Sequence, residues 1–135
     1  MSLSIEDRLA IQDLYATYNH AIDHGRAEEF AACFTADGSL DTGWGDPTVG
    51  TEALTAFVGV VNQMMAGMRH SVSNLLVEGD GDAATGRAYL YAYRRGASGH
   101  EVVLTGVYTD TLRKVDGAWK FAARTLAPDT APAAE

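Results

Sequence analysis

Apolar residues recur at helical spacing over the first 25 residues of the chain. Ser4 can cap a helix whose first turn carries Glu6 and Asp7, and Gly25 is a typical residue after the last turn. The apolar stripe between them consists of Ile11, Leu14, Tyr15, Tyr18, Ala21 and Ile22. This pattern predicts one long amphipathic helix.

Two further helices and a short strand are predicted before the pattern changes. Residues 27–34 predict a short helix that ends at the sequence "TADG", in which Asp37 is expected to belong to a turn. The sequence "SLD" (39–41) predicts a short strand and "TGWGDPTVG" (42–50) a loop. Residues 51–65 predict the third helix.

After Arg69 the helical period gives way to alternation of apolar and polar residues, which predicts β-strands. Four such segments cover residues 70–78, 84–95, 101–114 and 118–126. Their connections, rich in Gly and Asp, predict hairpin turns at 79–82, 96–99 and 116–117. We therefore expect an α+β domain in which three N-terminal helices pack on a strongly curved antiparallel sheet.

Composition and charge narrow the classes of partner. The 135 residues carry a net charge of −8, which argues against nucleic acid and anionic membranes, because both attract clustered Lys and Arg. No apolar run is long enough to span a membrane, and the N-terminus lacks the apolar core of a signal peptide. A single cysteine, Cys33, cannot form an internal disulfide. We expect a cytoplasmic domain over residues 1–126 and a disordered tail, rich in Pro and Ala, over 127–135.

Several segments together resemble the SnoaL-like branch of the nuclear transport factor 2-like superfamily. In chain order they are "FTADG", "VGTEAL", "RHSVSNLLVEGDGDAA" and "GVYTDTLRKVDGAWKFAART". The resemblance extends from about Ile5 to Leu126 and implies a cone-shaped α+β barrel with a pocket inside. The superfamily includes polyketide cyclases, scytalone and bile-acid dehydratases, ketosteroid isomerase and subunits that only bind partners, so the fold does not define the activity.

The resemblance to the dehydratases implies a catalytic set of Tyr18, Asp23 and His70. In that role a neutral His70 removes a proton beside a carbonyl, Asp23 orients the imidazole, and Tyr18 donates to the developing oxyanion. On a straight helix Asp23 lies about 140° away from Tyr18. The two side chains converge only if the helix frays or bends near Gly25. Otherwise Tyr18 is an ordinary core residue and Asp23 is solvated.

Other residues are expected to bind the substrate. They are Asp41, Trp44, Phe57, Val61, Met65, Asn74 and Tyr108. Asp41 lies near the position at which ketosteroid isomerases carry their proton-shuttling aspartate, which keeps an isomerase as an alternative. Trp44 lies on a glycine-flanked loop and is expected to be either a lid over the pocket or a contact at its rim.

Arg124 has two possible positions. Some related dehydratases use an arginine late in the last strand to hold a ligand carboxylate or thioester, and Arg124 matches that position. Strict alternation instead groups Arg124 with Lys120, on the face opposite Trp119 and Phe121. The alternation favours an arginine at the surface.

The histidines outside the catalytic set are expected at the surface. His20 and His24 are four residues apart, a spacing that can bind a metal, but no third ligand follows at motif spacing. His100 follows a predicted hairpin turn. We expect neither a metal nor a cofactor.

A ladder of Tyr89, Tyr91 and Tyr93 alternates with Ala88, Leu90 and Ala92, so that both faces of this strand are apolar. One face is expected to cover the pocket. The other is expected to form a homodimer, because an aromatic sheet face left in water favours association.

Together these observations predict a cofactor-independent lyase, dehydratase-like, that acts on a small and mostly apolar carbonyl compound in the cone. Aldol cyclisation and double-bond isomerisation use the same enolate chemistry and stay as alternatives. The opposing hypothesis is a non-catalytic domain that binds a small molecule or assembles with a partner. Hydrogen-bond contact between His70 and Asp23 inside a cavity would favour an enzyme.

Overall fold

A computed structural model describes residues 2–129 of the chain, in which three helices precede most of the sheet. The helices are α1 (Ile5–Asp23), α2 (Ala27–Ala32) and α3 (Thr51–Met64). The strands are β1 (Phe34–Asp41), β2 (Thr48–Val49), β3 (Met68–Asp80), β4 (Ala83–Gly96), β5 (Gly99–Val115) and β6 (Ala118–Pro128). The three predicted hairpin turns lie between β3 and β4, β4 and β5, and β5 and β6.

Both ends of α1 carry the predicted caps. The Ser4 hydroxyl accepts a hydrogen bond from the backbone N–H of Asp7 at 3.0 Å. At the other end Gly25 adopts φ +69°, which lets the N–H of Arg26 reach back to the carbonyl of Ala21 at 2.9 Å. This six-to-one bond closes the last turn. As a result α1 ends sharply at Asp23.

The strands form one mixed sheet in the order β2-β1-β6-β5-β4-β3. The ladders from β3 to β6 are antiparallel, as predicted, whereas β1 pairs parallel with β6. The predicted fold class, three helices on a curved sheet in an α+β domain, is confirmed. The parallel pair departs from a purely antiparallel sheet and includes residues 39–41, the short strand that the sequence predicted.

The prediction of a helix through residue 34 and a turn at Asp37 was wrong. Helix α2 ends at Ala32, and Phe34 begins β1, where it is buried and pairs with Phe121. The ladder is irregular between residues 34 and 39, and there the Asp37 carboxylate accepts a hydrogen bond from the Thr35 hydroxyl at 2.9 Å. The turn chemistry of "TADG" is therefore used inside an irregular strand.

The apolar interior consists of two clusters. The larger one lies between the helices and the sheet and is rich in aromatic rings, among them Tyr18, Phe30 and Phe121. The smaller one lies around the first residues of β3. Its buried members are Met68, Leu90, Ala92, Tyr108 and Leu126.

A bulge in β6 places Arg124 inside the protein. Ala123 pairs with Thr111 and Phe121 with Leu112, so Ala122 has no partner on β5. The extra residue reverses the alternation, and Arg124 joins Phe121 on the buried face. The preference for a surface arginine was therefore wrong, because strict alternation does not hold across a bulge.

The end of the domain lies slightly beyond the predicted boundary. Strand β6 continues through Pro128, past Leu126, and the N–H of Asp129 bonds to the carbonyl of Thr105 at 2.8 Å. The rest of the predicted tail, residues 130–135, lies outside the described residues. Within residues 2–129, none of the helices has the length and hydropathy needed to cross a membrane.

Candidate active site

Asp23 and His70 form a close pair at the junction of α1 and β3. Nδ1 of His70 lies 2.6 Å from Oδ1 of Asp23, and the backbone N–H of His70 donates to Oδ2 at 3.0 Å. The two side chains are 5% and 10% exposed, for Asp23 and His70 respectively. Both carboxylate oxygens are thus engaged by one residue, which holds the imidazole in one orientation and favours the Nδ1–H tautomer.

The local folding of α1 explains this contact. Asp23 is the last residue of the helix, and the Gly25 turn leaves its side chain directed at the start of β3. Tyr18 points elsewhere, into the aromatic core, as the helical wheel requires. The helix neither frays nor bends to bring Tyr18 and Asp23 together. The predicted meeting of Asp23 with His70 occurs because β3 comes to the helix end.

His70 is reached from a groove of about 400 Å³ between α1 and β3. The groove is lined by Gln12, Tyr15, Ala16, Asn19, His20 and residues 70–75. Among the described residues Nε2 of His70 has no hydrogen-bond partner, so this nitrogen is available to a ligand in the groove. His20, expected to be solvated, is exposed but also lies on the groove wall.

Asn19 is a groove residue that the sequence analysis did not identify. Its side chain is only 7% exposed, and its carbonyl oxygen Oδ1 has no hydrogen-bond partner among the described residues. A buried polar atom left without a partner costs about 1–3 kcal/mol, which favours a role in binding. Asn19 lies one residue after Tyr18 and four residues before Asp23. It is therefore about one helical turn away from Asp23. That i, i+4 spacing was the signal that could have revealed it.

Tyr18 does not line the groove. It is 3% exposed, and its ring packs against Phe30 and Phe121 at centroid distances of 4.8 and 5.7 Å. Its hydroxyl interacts with that of Tyr108, and burial raises the pKa of Tyr18 well above the usual value. Tyr18 is therefore a neutral phenol in the core, and its predicted role as oxyanion donor requires a substrate that enters the interior.

A second polar cluster occupies that interior. The Arg124 guanidinium lies over the ring of Tyr108 at 3.4 Å and over that of Tyr18 at 4.3 Å. Its Nε is 3.1 Å from Oδ1 of Asp110, an ion pair without hydrogen-bond geometry, and its two terminal nitrogens have no partner among the described residues. Asp110 also accepts a hydrogen bond from the Tyr15 hydroxyl. Nothing in the alternation of β5 or the spacing of α1 indicated that Asp110 and Tyr15 belong to one cluster.

Burial and the neighbouring charged or polar groups act in opposite directions on the pKa values in this cluster. Burial raises the pKa of Asp110, although Arg124 and Tyr15 act in the opposite direction. Burial alone would lower the pKa of Arg124, but Tyr108 and Asp110 together raise it. Arg124 therefore keeps its charge, stabilised by the carboxylate and by the faces of the aromatic rings.

The residues expected to bind substrate are dispersed. Asn74 lies on the groove wall with φ +57°, at an irregularity in β3. Phe57 stacks on Phe30 at 6.0 Å, and Val61 packs beside it on the larger core cluster. Met65 packs against the smaller cluster, which contains the buried Tyr108.

Two residues at the β1–β2 connection, Asp41 and Trp44, lie apart from the groove. The Asp41 carboxylate accepts a hydrogen bond from the N–H of Gly43 at 3.0 Å, which makes it part of a turn. Trp44 is 50% exposed on the loop that follows. Neither residue contributes to the walls of the groove around His70.

The structure contains no evident metal-binding group in its described part. Among residues 2–129, no three or more His, Cys, Asp or Glu side chains converge as metal ligands would. Nδ1 of His24 instead contacts the carbonyl of His20 at 2.9 Å. Cys33 is buried, and burial raises the pKa of its thiol to about 11. It is therefore a protonated core residue.

The arrangement around the groove can perform proton transfer. Nε2 of His70 can accept a proton, and Asp23 can stabilise the imidazolium that forms because it binds both the ring and the backbone of the same residue. The side-chain amide of Asn19 offers a polar contact in the same groove.

Comparisons with known proteins place the chain in a family. Residues 3–125 match the SnoaL-like domain family. Rv3472 of Mycobacterium tuberculosis, a protein of unknown function, is 36% identical and superposes with a TM-score of 0.85, over 91% of this chain and 72% of that one. No curated protein matches the chain.

Two further solved structures are similar over most of their length. A protein of unknown function with a cystatin-like fold from Nostoc punctiforme is 29% identical, covers 96% of both chains and has a TM-score of 0.88. A proposed scytalone dehydratase from Novosphingobium aromaticivorans is 27% identical over 92% of this chain and 85% of that one, with a TM-score of 0.81. The chain therefore belongs to the SnoaL-like domain family of the nuclear transport factor 2-like superfamily.

Proposed function

We propose that this protein is a cofactor-independent lyase that removes water from a small, mostly apolar 3-hydroxy carbonyl compound. The observation that carries the proposal is the 2.6 Å contact between Asp23 and His70, a residue that lines the groove and whose Nε2 has no hydrogen-bond partner among the described residues. The similarity to a proposed scytalone dehydratase supports the same class of reaction.

In the proposed reaction Nε2 of His70 removes the proton at C2, beside the carbonyl. The C–H electron pair forms the enolate, and its collapse forms the C2–C3 double bond while the C3–O bond breaks. The imidazolium returns its proton to the departing hydroxide, which leaves as water. Asp23 stabilises the imidazolium between the two steps, and one histidine serves first as base and then as acid.

The enolate oxygen needs a hydrogen-bond donor. We propose the amide of Asn19 for this role, because it lines the groove together with His70. The Tyr18 hydroxyl, which the resemblance implies as donor, already interacts with Tyr108 in the core. One preorganised donor is typically worth about 10²–10³ in rate.

Cyclisation of a polyketide by an aldol step and isomerisation of a double bond would use the same base. Both begin with removal of a proton beside a carbonyl, so both depend on His70 in the same way. What separates them from dehydration is the fate of the enolate. A binding domain would hold the compound in the groove without removing the proton.

The experiment is a screen of cyclic and aromatic 3-hydroxy ketones incubated with the protein in D2O and analysed by mass spectrometry. We expect deuterium at C2 and a product lighter by one water with the unmodified protein, and neither with His70→Ala. His24→Ala is the matched control and should behave like the unmodified protein, since His24 lies outside the groove. Exchange that persists at full rate in His70→Ala would refute the proposal. Saturable binding without exchange would assign the protein to the binding class.

We also propose that the protein pairs with a second copy of itself through the sheet face that turns away from the helices. Four large apolar side chains on β3, β4 and β5 are exposed there, at 48–60%. They are Leu76, Tyr89, Tyr91 and Val102. Sedimentation should give a dimer that Tyr89→Lys weakens. A monomer at micromolar concentration would exclude this interface.

A further inference from the structure

A cavity of about 430 Å³ lies at the end of the sheet where the β4–β5 hairpin meets the start of β3. It is lined by Gly67, Arg69, Tyr93, Arg94, Arg95 and His100. The strand registers bring these residues together, because Arg69 is opposite Tyr93 and Arg95 is opposite His100. No lining residue belongs to the groove around His70, so the cavity is a separate feature.

The charge of this cavity is opposite to that of the chain. The protein has a net charge of −8 and only 10 Lys and Arg, yet three of the ten line this one cavity and no acidic residue does. Glu101 pairs with Arg94 at 2.9 Å from the adjoining strand. Arg69 donates only a long bond of 3.4 Å to the carbonyl of Met68, and Arg95 forms no ion pair within residues 2–129. Two guanidinium groups are therefore free to bind an anion.

The aromatic side chains make one wall of the cavity. The rings of Tyr93 and His100 meet edge to face at a centroid distance of 5.8 Å, and Tyr91 lies against Tyr93 at 5.9 Å. The cavity is larger than a single phosphate group, and flat rings favour contact with a planar organic group. The guanidinium fork binds the oxygens of phosphate and carboxylate alike, but two positive charges favour a doubly charged phosphate over a singly charged carboxylate.

We propose that this cavity binds a small organic phosphate, with Arg69 and Arg95 on the phosphate group and Tyr93 beside the organic part. The site does not depend on the proposed lyase reaction. Arg69 and His70 are neighbours on opposite faces of β3, so the bound phosphate would lie behind the strand that carries the candidate base.

The test is a titration of the full chain, labelled with ¹⁵N and followed by NMR, with phenyl phosphate, inorganic phosphate and benzoate at constant ionic strength. We expect saturable shifts confined to residues 67–70 and 93–100, tightest for phenyl phosphate and weakest for benzoate. Arg69→Gln and Arg95→Gln should each weaken phenyl phosphate binding on the order of tenfold, which corresponds to about 1.4 kcal/mol.

Arg113→Gln is the matched control, because it removes the same charge from an exposed position of β5 away from the cavity. Equal weakening by Arg113→Gln would show that the whole charge of the protein, and not this cavity, attracts the phosphate. Shifts that do not saturate would also overturn the proposal. So would a loss of the dimer in Arg69→Gln and Arg95→Gln with unchanged phosphate affinity, which would assign the arginines to a contact between two copies.

Discussion

Two buried aspartates, each beside a basic side chain, have different surroundings in this protein. Asp23 binds the imidazole and backbone of His70 at the wall of an open groove, whereas Asp110 lies beside Arg124 among aromatic rings. At Asp23 both oxygens accept hydrogen bonds, and the partner, His70, lines the groove. At Asp110 the partner is completely enclosed, with exposure of 0% for both side chains.

This difference in exposure indicates different roles for the two pairs. Proton transfer needs a group that substrate can touch, and only the Asp23–His70 pair satisfies this condition. The charges of Asp110 and Arg124 are sealed from solvent, so each is balanced mainly by the other. A buried ion pair of this kind adds little net stability, but the loss of one partner is costly. We therefore expect mutations at the Asp23–His70 pair to affect catalysis and mutations at the Asp110–Arg124 pair to affect stability.

The largest effect should come from Asp110→Ala. This change leaves the Arg124 charge buried without a carboxylate, and such losses typically destabilise proteins by about 3–5 kcal/mol. Chemical denaturation should measure that decrease in the free energy of unfolding. The double variant Asp110→Leu with Arg124→Met removes both charges at similar volume and should recover most of the loss. A loss below about 1 kcal/mol for Asp110→Ala would show that the charges do not depend on each other.

The next effect should be on catalysis, from Asp23→Asn. The amide cannot stabilise an imidazolium as a carboxylate does, so kcat for the compounds found in the D2O screen should fall on the order of 10²-fold. The free energy of unfolding should change much less than in Asp110→Ala. Asp13→Asn makes the same chemical change at an exposed position of α1 and should leave kcat unaltered. Equal rates for Asp23→Asn and the unmodified protein would remove Asp23 from the mechanism.

The smallest effect should come from Tyr18→Phe, which tests whether substrate stays in the groove or enters the interior. Loss of the hydroxyl that interacts with Tyr108 should cost about 1 kcal/mol of stability. Because Tyr18 does not reach the groove, kcat should fall less than tenfold. Thr17→Val, which removes a hydroxyl from an exposed position of the same helix, is the control. A fall of tenfold or more at unchanged KM would show that substrate enters the interior and that Tyr18 donates to the oxyanion, as the resemblance implies.

The sequence predicted the elements well where local signals agreed. The Ser4 cap, the Gly25 stop and the three hairpin turns all lie where residue type and spacing indicated. Only the second half of strand β1, residues 39–41, was predicted, because "TADG" before it has the composition of a turn. Parallel pairing of distant segments leaves no local pattern in the sequence.

The candidate site was predictable only in part. The resemblance indicated Asp23 and His70, and the structure brings them together. Asn19 was missed although it lies four residues before Asp23, because that spacing alone does not show that its Oδ1 is buried without a partner. Arg124 was placed on the wrong face, since one unpaired residue in β6 reverses the alternation and its position cannot be read from polarity alone.

The unpaired residue Ala122 determines which face of the sheet each later side chain of β6 occupies. If Ala122 instead took its place in a regular ladder with β5, the side chains that follow it would turn to the opposite face. Arg124 and Leu126 would then face outward, and Ala123 and Thr125 would face the core. The unpaired position of one residue thus decides whether the protein has a cation at its centre or on its surface, with the amino-acid sequence unchanged.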